Sequence, residues 1–392
     1  MNQTQSNQNL PQAALIGISG YGRTHLRTLE ALQTEGVLQI AAATVVNRSE
    51  EEESCQRLES QGCRIYPDYE MMLREEKGRI DLCCIPTGIA WHRPMTLAAL
   101  EAGCHVLVEK PAAGTVDEID EMIEAQKAAG KMVFVGFQDF YLDTVIEIKK
   151  KILAGRIGEV KSIRSIGSWP RPKSYYTRNN WAGKIRSNGH LVYDSPANNA
   201  FAHYLIATLN FAGEKMSSIA SAKEVEAELY RLPGIETFDT ISARVVTENG
   251  IEIDYAVTHK GIRTIEPTLD ILGTEGRIRW NFDKKFTIFP DEEEIISIGA
   301  DFSRESMFRK VIESIHTGTH QGCSLEMARE HTKLIQTIHQ KFTISEFPAD
   351  LVRQGELAGE AFPHVEGIEE ALEEILRKGG MISDSLSAQP SA

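Results

Sequence analysis

Ala13-Ala-Leu-Ile-Gly17-Ile-Ser19-Gly20-Tyr21-Gly22 runs from an apolar segment into a cluster of glycines, and Leu26, Leu29 and Leu32 then repeat at helical spacing until Gly36. The pattern predicts strand, tight turn and helix. Val37–Val46 supplies a second apolar strand. A turn in this context can receive a pyrophosphate. Small residues let the backbone approach the phosphates, and the helix start presents unpaired N–H groups and a positive dipole end. The spacing is Gly17-x-Ser19-x-x-Gly22, with serine in place of the usual middle glycine. Its side chain is small and its hydroxyl can donate to a phosphate. Gly17, Ser19, Gly20, Tyr21 and Gly22 are therefore the expected dinucleotide-binding turn.

The same rhythm continues outward. Ile80–Ile85 is a buried strand broken by Pro86-Thr-Gly88, a helix through Leu97 and Leu100 ends near Gly103, and His105–Val108 is the next strand. A helix around Ile119–Ala128 and the strand Met132–Phe137 follow. Continuous apolar strands alternating with helices predict an α/β Rossmann domain, a doubly wound parallel sheet, over residues 13–140. Residues 1–12 read as a flexible tail. Beyond residue 140 comes a long loop, Ser168–Gly189, then a helix capped by Ser195 with Pro196 in its first position and running to Gly213. Strands at Thr240–Thr247, Ile251–Thr258, Thr268–Gly273, Arg277–Trp280 and Phe286–Phe289 predict an α+β domain with an open, mostly antiparallel sheet. With a helix near Leu325–Phe342, that domain is expected to span 141–345, leaving 346–392 as a weakly patterned extension.

Composition narrows the function classes. The chain has 392 residues and a formal charge of −14, with no concentrated basic face for nucleic acid or an anionic membrane. The six cysteines show no metal-type spacing and suit a reducing compartment, and the N-terminus lacks the basic start and apolar core of a signal peptide, so a cytoplasmic location is expected. His316 and His320 with Cys323 have one metal-like spacing, but Gly318 and Gly322 interrupt a helix there, and no metal is expected.

At the end of the second strand, where NAD-selective sites usually carry Asp or Glu, the chain has Val46-Asn47-Arg48-Ser49. Asn47 does not repel a 2′-phosphate, and Arg48 can pair with it. An exposed arginine at a helix start fits Arg48 equally well. The reading leans towards NADP over NAD.

Glu109-Lys110-Pro111 follows directly on the strand His105–Val108, at the carboxyl edge of the sheet where ligands bind in open α/β folds. A lysine there can stabilise an alkoxide as hydride leaves its carbon, and Glu109 can orient it. Trp169, Arg171, Tyr176, Arg178, Trp181 and Lys184 form a loop whose aromatic faces and cations suit sugar C–H surfaces, hydroxyls or acids. Packing of that loop against the first domain explains it as well.

These residues resemble the glucose–fructose oxidoreductase, inositol dehydrogenase and rhizopine-catabolism (Gfo/Idh/MocA) family over most of residues 13–345. The resemblance rests on the glycine turn, Pro86-Thr-Gly with His92, the run Ala102–Pro111, Val135-Gly-Phe-Gln138, Trp181-Ala-Gly-Lys184 and Gly273-Thr-Glu-Gly276. It implies hydride exchange at a carbinol of a sugar, polyol or sugar derivative, and a homo-oligomer, dimer or tetramer. It further implies Lys110 as the substrate-activating lysine, and Pro86, Thr87, His92, Glu109, Lys110 and Gln138 on the cofactor side. The family places a histidine four residues after an aspartate. Here Asp194 matches the aspartate, but Asn198 and then Asn199 follow. An amide cannot accept a catalytic proton. His203, one helical turn beyond Asn199, is a candidate substitute or a packed helix histidine; Asp194 or Lys110 can serve instead. Asp194, Asn198, Asn199 and His203 thus join the expected substrate side. Two other functions remain open: NAD-dependent glycoside cleavage through transient oxidation, and cofactor binding without catalysis.

Overall fold

The computed structural model describes residues 10–281, 285–296 and 304–386; residues 1–9 of the expected flexible tail lie outside the described residues. Two compact units emerge. One comprises the described residues of Met1–Ala112, Asp117–Phe137 and Ser303–Leu325, the other those of Ala113–Val116, Gln138–Phe302 and Glu326–Ala392.

In the first unit, strands and helices alternate as β1 (Gln12–Ile16), α1 (Gly22–Thr34), β2 (Gln39–Thr44), α2 (Glu52–Ser60), β3 (Arg64–Tyr66), α3 (Tyr69–Glu75), β4 (Leu82–Ile85), α4 (Ile89–Glu101), β5 (His105–Val108), α5 (Val116–Ala129) and β6 (Val133–Val135). The strands form one sheet in the order β3-β2-β1-β4-β5-β6, all parallel. Every residue of β4 is buried, as a strand covered by helices on both faces requires. The order reverses between β1 and β4, so the turns that follow these two strands open beside each other at the carboxyl edge. Arg64–Glu75, which gave no signal in the sequence, adds the edge strand β3 and the helix α3, capped by Asp68 accepting from the Met71 amide at 2.7 Å.

The second unit runs through α6 (Asp143–Leu153), β7 (Val160–Ser168), α7 (Lys173–Thr177), β8 (Arg186–Ser187), β9 (His190–Leu191), α8 (Ala202–Ala212), β10 (Ala222–Arg231), β11 (Thr240–Thr247), β12 (Glu252–Thr258), β13 (Ile265–Gly273), β14 (Arg277–Asn281), β15 (Lys285–Phe289) and β16 (Glu293–Ile296). After α9 (Arg304–Thr317) it continues with α10 (Leu325–Lys341), β17 (Ile344–Glu346), β18 (Val352–Leu357), β19 (Glu360–Val365), α11 (Ile368–Lys378) and α12 (Ile382–Leu386). Helix α9 packs with the first unit, whereas the sequence reading placed it in the second: the Phe308 and His25 rings meet in a T-shaped contact with centroids 5.2 Å apart. Helical periodicity identifies an apolar face without saying which sheet it covers.

The large sheet has the order β16-β15-β14-β13-β7-β12-β11-β10-β17. It is mostly antiparallel, as expected, with two parallel pairs, β7 with β12 and β10 with β17. Both faces are covered over its centre. On one face Gly167 of β7 lets Phe201 approach so closely that a Cβ would lie 2.6 Å from the ring. On the other, Ile166 and Ala256 pack with Ile368, Leu372 and Ile375 of α11. The extension expected to be weakly patterned therefore contributes an amphipathic helix to the core.

The helix expected from Ser195 begins later. Residues 195–201 make irregular turns, with the Asn199 and Phe201 amides bonded to the Ser195 and Pro196 carbonyls, and regular helix starts at Ala202. Ser195 does not cap it; its Oγ is buried without a hydrogen-bond partner. The Asn198 side chain instead donates to the carbonyls of Val192 and Tyr193, both at 3.2 Å, which ties the entry of the segment to the preceding loop. All six cysteines are buried and unbridged, and among the described residues no helix is long and apolar enough to cross a membrane.

At the far end of α8, the buried Lys149 of α6 donates to the carbonyls of Asn210, which also accepts the Gly213 amide, and of Gly213. Replacing it would strand the Gly213 carbonyl, at about 1–3 kcal/mol, while the Asn210 carbonyl keeps the Gly213 amide. Lys149→Met is expected to lower the unfolding free energy by about 1–3 kcal/mol in a urea titration; wild-type stability would refute the capping role.

Candidate functional site

The glycine turn in the first unit is held by backbone sterics. Gly17 and Gly20 take φ of +89° and +54°, conformations that L side chains rarely adopt. Gly22 opens α1 directly against Gly17, where a Cβ would overlap the Gly17 carbonyl oxygen. Pro86 and Thr87, at the end of β4, lie beside them: Pro86 Cγ would be 3.7 Å from a Cβ on Gly22, and Thr87 Cγ2 4.0 Å from one on Gly17. Tyr21 precedes α1 without capping it and accepts a hydrogen bond from Arg304 at 3.0 Å. The turn therefore offers free amides, no bulk at its corners and a helix start, the features a pyrophosphate needs.

Ser19 points towards the end of β2. Its hydroxyl lies 3.2 Å from Asn47 Oδ1 and donates to Glu51 Oε1 at 3.0 Å, and Asn47 Nδ2 donates to Glu50 at 2.9 Å. Glu51 is buried, and its hydrogen bond from Arg23 at 2.6 Å is the main cause that keeps its carboxyl below the ordinary range. Sequence reading missed this carboxylate because it lies past the usual position, in the turn leading into α2. Arg48 points elsewhere, pairing both terminal nitrogens with Glu59 at 2.9 Å.

At the end of β5, burial pushes the Glu109 carboxyl up, but the hydrogen bond from His25 at 2.9 Å, the charge of that histidine and that of Lys110 bring it below the usual carboxylate value. The other carboxylate oxygen accepts the Lys110 amide at 3.1 Å. Glu109 fits only because residue 136 is glycine; a Cβ there would sit 2.8 Å from the carboxyl carbon. Lys110 is half-buried and follows at once on this fixed base. His92, expected on the cofactor side, is fully engaged: its ring nitrogens meet the carbonyls of Pro111 at 2.8 Å and Thr87 at 3.0 Å. It ties the loop after β4 to the loop after β5, and burial holds its pKa below the ordinary histidine value.

The substrate-side residues other than Lys110 belong to the second unit, which Gln138 also opens. Asp194 is buried and organises its neighbours. One oxygen accepts from the Gly183 amide, the other from Asn199 Nδ2, both at 2.7 Å, and Arg178 stands 4.0 Å away. Arg178 lies over the rings of Tyr175 at 3.8 Å and Trp181 at 5.2 Å. The Lys184 carbonyl accepts the Asp194 amide at 2.9 Å. Of the two asparagines, Asn199 serves the aspartate, while the Asn198 amide is turned to backbone and its Oδ1 is buried without a hydrogen bond. His203 lies half-buried in the first turn of α8. Tyr176 was expected here. Its hydroxyl meets Nδ1 of His259 at 2.8 Å, a buried residue that directly follows β12 and that sequence reading did not single out.

Known proteins match both parts. A family model described as an oxidoreductase family with an NAD-binding Rossmann fold matches residues 12–137, and one for the Gfo/Idh/MocA C-terminal domain matches 145–279. An inositol 2-dehydrogenase of Paracoccus denitrificans is 32% identical over 142 residues, 35% of this chain and 40% of that protein. A D-glucoside 3-dehydrogenase of Escherichia coli is 35% identical over 97 residues, 24% of this chain and 27% of that one. The chain thus spans about two fifths or less of the length of these two relatives. Among solved structures, the WlbA dehydrogenase of Bordetella pertussis, in complex with NADH and UDP-GlcNAcA, superposes with a TM-score of 0.69 at 22% identity over 84% of this chain and 96% of that one. A 3-ketoreductase of Actinomadura kijaniata, with NADP and TDP-benzene, gives 0.67 at 17% identity over 87% and 100%.

The overlap at residue 22 yields a direct test. Gly22→Ala must push α1 away from the turn, and NADH titrated by fluorescence is expected to bind at least about tenfold more weakly. Unchanged affinity would rule out the turn as the phosphate cradle.

Proposed function

The chain belongs to the Gfo/Idh/MocA oxidoreductase family, and from that premise we propose that it is a nicotinamide-dinucleotide-dependent dehydrogenase or reductase acting on the hydroxyl/carbonyl carbon of a sugar, polyol or sugar derivative. The observation that carries this reading is Lys110 on its fixed base, Glu109 held by His25 at the carboxyl edge of the parallel sheet.

The residues present fit a dinucleotide. The corners of the turn have room only for glycine at residue 22 and positive φ at residues 17 and 20, so the backbone of Gly17–Gly22 and the first amides of α1 would hold the pyrophosphate. Ser19, Asn47 and Glu51 would hold the adenosine ribose, and Pro86 and Thr87 would line the adjoining wall. Tyr21 and Gln138 stay on the cofactor side as a proposal, with His92 positioning Thr87. A bound nicotinamide supplies the hydride acceptor or donor. Sequence alone leaned towards NADP through Arg48. The ionised Glu51 beside Ser19, with Glu50 on Asn47 and Arg48 turned to Glu59, supports NAD instead, because a 2′-phosphate would meet two carboxylates.

In oxidation the carbinol loses its C–H as hydride and its O–H proton to a base. Lys110 donates to the oxygen and stabilises its developing negative charge. Asp194 takes the proton, with Gly183 and Asn199 fixing its carboxylate; Asn198 cannot accept one. Tyr176, Arg178, Trp181 and Lys184 supply ring faces and donors for the hydroxyl-rich body of the substrate.

Lys110→Met is expected to lower kcat about 10²–10³-fold and Asp194→Asn about 10²–10⁴-fold, each retaining NADH affinity, whereas His203→Gln stays within a few-fold of wild type. A loss at His203 equal to that at Asp194 would move the base to the histidine. Steady-state kcat/KM should favour NAD over NADP by at least about tenfold, and Glu51→Gln should narrow that ratio; a preference for NADP would reverse the cofactor assignment. Net NADH formation from a polyol or sugar identifies the dehydrogenase, and glycoside release without it would replace that reading.

A further inference from the structure

Where β12 leaves the sheet, two buried nitrogens have no hydrogen-bond partner and a nearby ammonium has no ion pair among the described residues. His259 is 2% exposed; its Nδ1 shares a hydrogen bond with the Tyr176 hydroxyl at 2.8 Å, and its Nε2 is buried with no hydrogen-bond partner. Lys260 is 7% exposed, and its ammonium lies between the rings of Tyr176 at 5.7 Å and Phe362 at 5.3 Å, with no ion pair among the described residues. Arg171 lies over Tyr175 at 5.0 Å and Trp169 at 5.7 Å, likewise without an ion pair, and its Nε is buried with no acceptor. Buried donors and cations are rarely left in this state, because each forfeits hydration without a compensating bond.

The three are neighbours. The Arg171 amide donates to the His259 carbonyl at 3.1 Å, and Arg171, Lys260 and Arg178 all bear electrostatically on the His259 ring. Arg178 is matched by Asp194. The carboxylate nearest in effect to Lys260, Asp239, makes no ion pair with it; burial pushes that carboxyl up to about 6 against the pull of the lysine, and burial lowers the lysine. With neither Arg171 nor Lys260 in an ion pair among the described residues, the cluster has room for an anion, inside a chain whose formal charge is −14.

We propose that Arg171, His259 and Lys260 form a subsite for an acidic group, carboxylate or phosphate, carried by the substrate, so that the substrate is a sugar acid or sugar phosphate rather than a neutral polyol. The inference rests on the reading of the second unit as the carbinol-binding half. An acid oxygen accepts from Nε2 of His259 and Nε of Arg171 and supplies the counter-charge of Lys260. Tyr175 and Tyr176 close the flanks, and Phe362 brings the C-terminal hairpin into the same wall. The hairpin also holds this loop, since Glu360 accepts the Ser174 amide at 3.0 Å.

The test is calorimetric titration of the full chain saturated with NADH, using D-glucose, D-glucuronate, D-glucose 6-phosphate, D-galactose and D-galacturonate. At least one acid should bind tenfold or more tightly than its neutral parent, the better of glucuronate and glucose 6-phosphate naming the acidic group. Lys260→Met and Arg171→Gln should each remove most of that advantage. The methionine variant removes a buried charge at constant volume, so its melting temperature should equal or exceed that of the wild type, and NADH affinity checks its fold. Acids that bind no better than their parents, or an advantage that survives Lys260→Met, would overturn the subsite. If a neutral polyol nevertheless yields NADH, the dehydrogenase reading stands without it; tight acid binding lost in Lys260→Met with no NADH formation would remove the dehydrogenase reading and keep the subsite.

Discussion

The approach of α1 to the Gly17 carbonyl is the constraint from which the first unit is organised. Because residue 22 has no Cβ, the helix starts flush against the turn, and its length then delivers two side chains to two different places. Arg23 reaches Glu51 and so reinforces the carboxylate that Ser19 also contacts. His25 reaches Glu109 at the end of β5. One backbone clearance therefore couples the ribose end of the proposed cofactor site to the base on which Lys110 stands.

Glu109 illustrates how a buried charge is kept ionised for a purpose. Burial alone would neutralise it. A hydrogen bond from His25, an amide and a neighbouring ammonium reverse the balance, and Gly136 leaves the space it occupies. The second unit solves a related problem at Asp194 with an amide on one oxygen and Asn199 on the other. There the position that the family gives to histidine has become structural: Asn198 spans two carbonyls of the preceding loop and shapes the irregular entry to α8.

The C-terminal extension changes the architecture of the second unit more than any other segment. Helix α11 covers the face of β7 and β12 opposite α8, so the centre of the large sheet is packed on both sides. Its hairpin continues to the loop bearing Tyr175 and Tyr176, where Phe362 and Glu360 meet Lys260 and Ser174. A segment remote in sequence from the aromatic loop thus helps to hold it.

The sequence by itself determined the parallel sheet, the glycine turn and the position of Lys110, because these depend on local patterns: continuous apolar strands, small residues between strand and helix, and a motif at a strand end. The strands of the large sheet were legible for the same reason, almost to the residue at β11 and β12. Tertiary structure alone decided that Glu51 rather than Arg48 faces Ser19, that α9 joins the first unit, and that His259 and Lys260 stand beside Tyr176. Each of these is a meeting of side chains far apart in the chain, and periodicity records which face of an element is apolar, not what comes to lie against it.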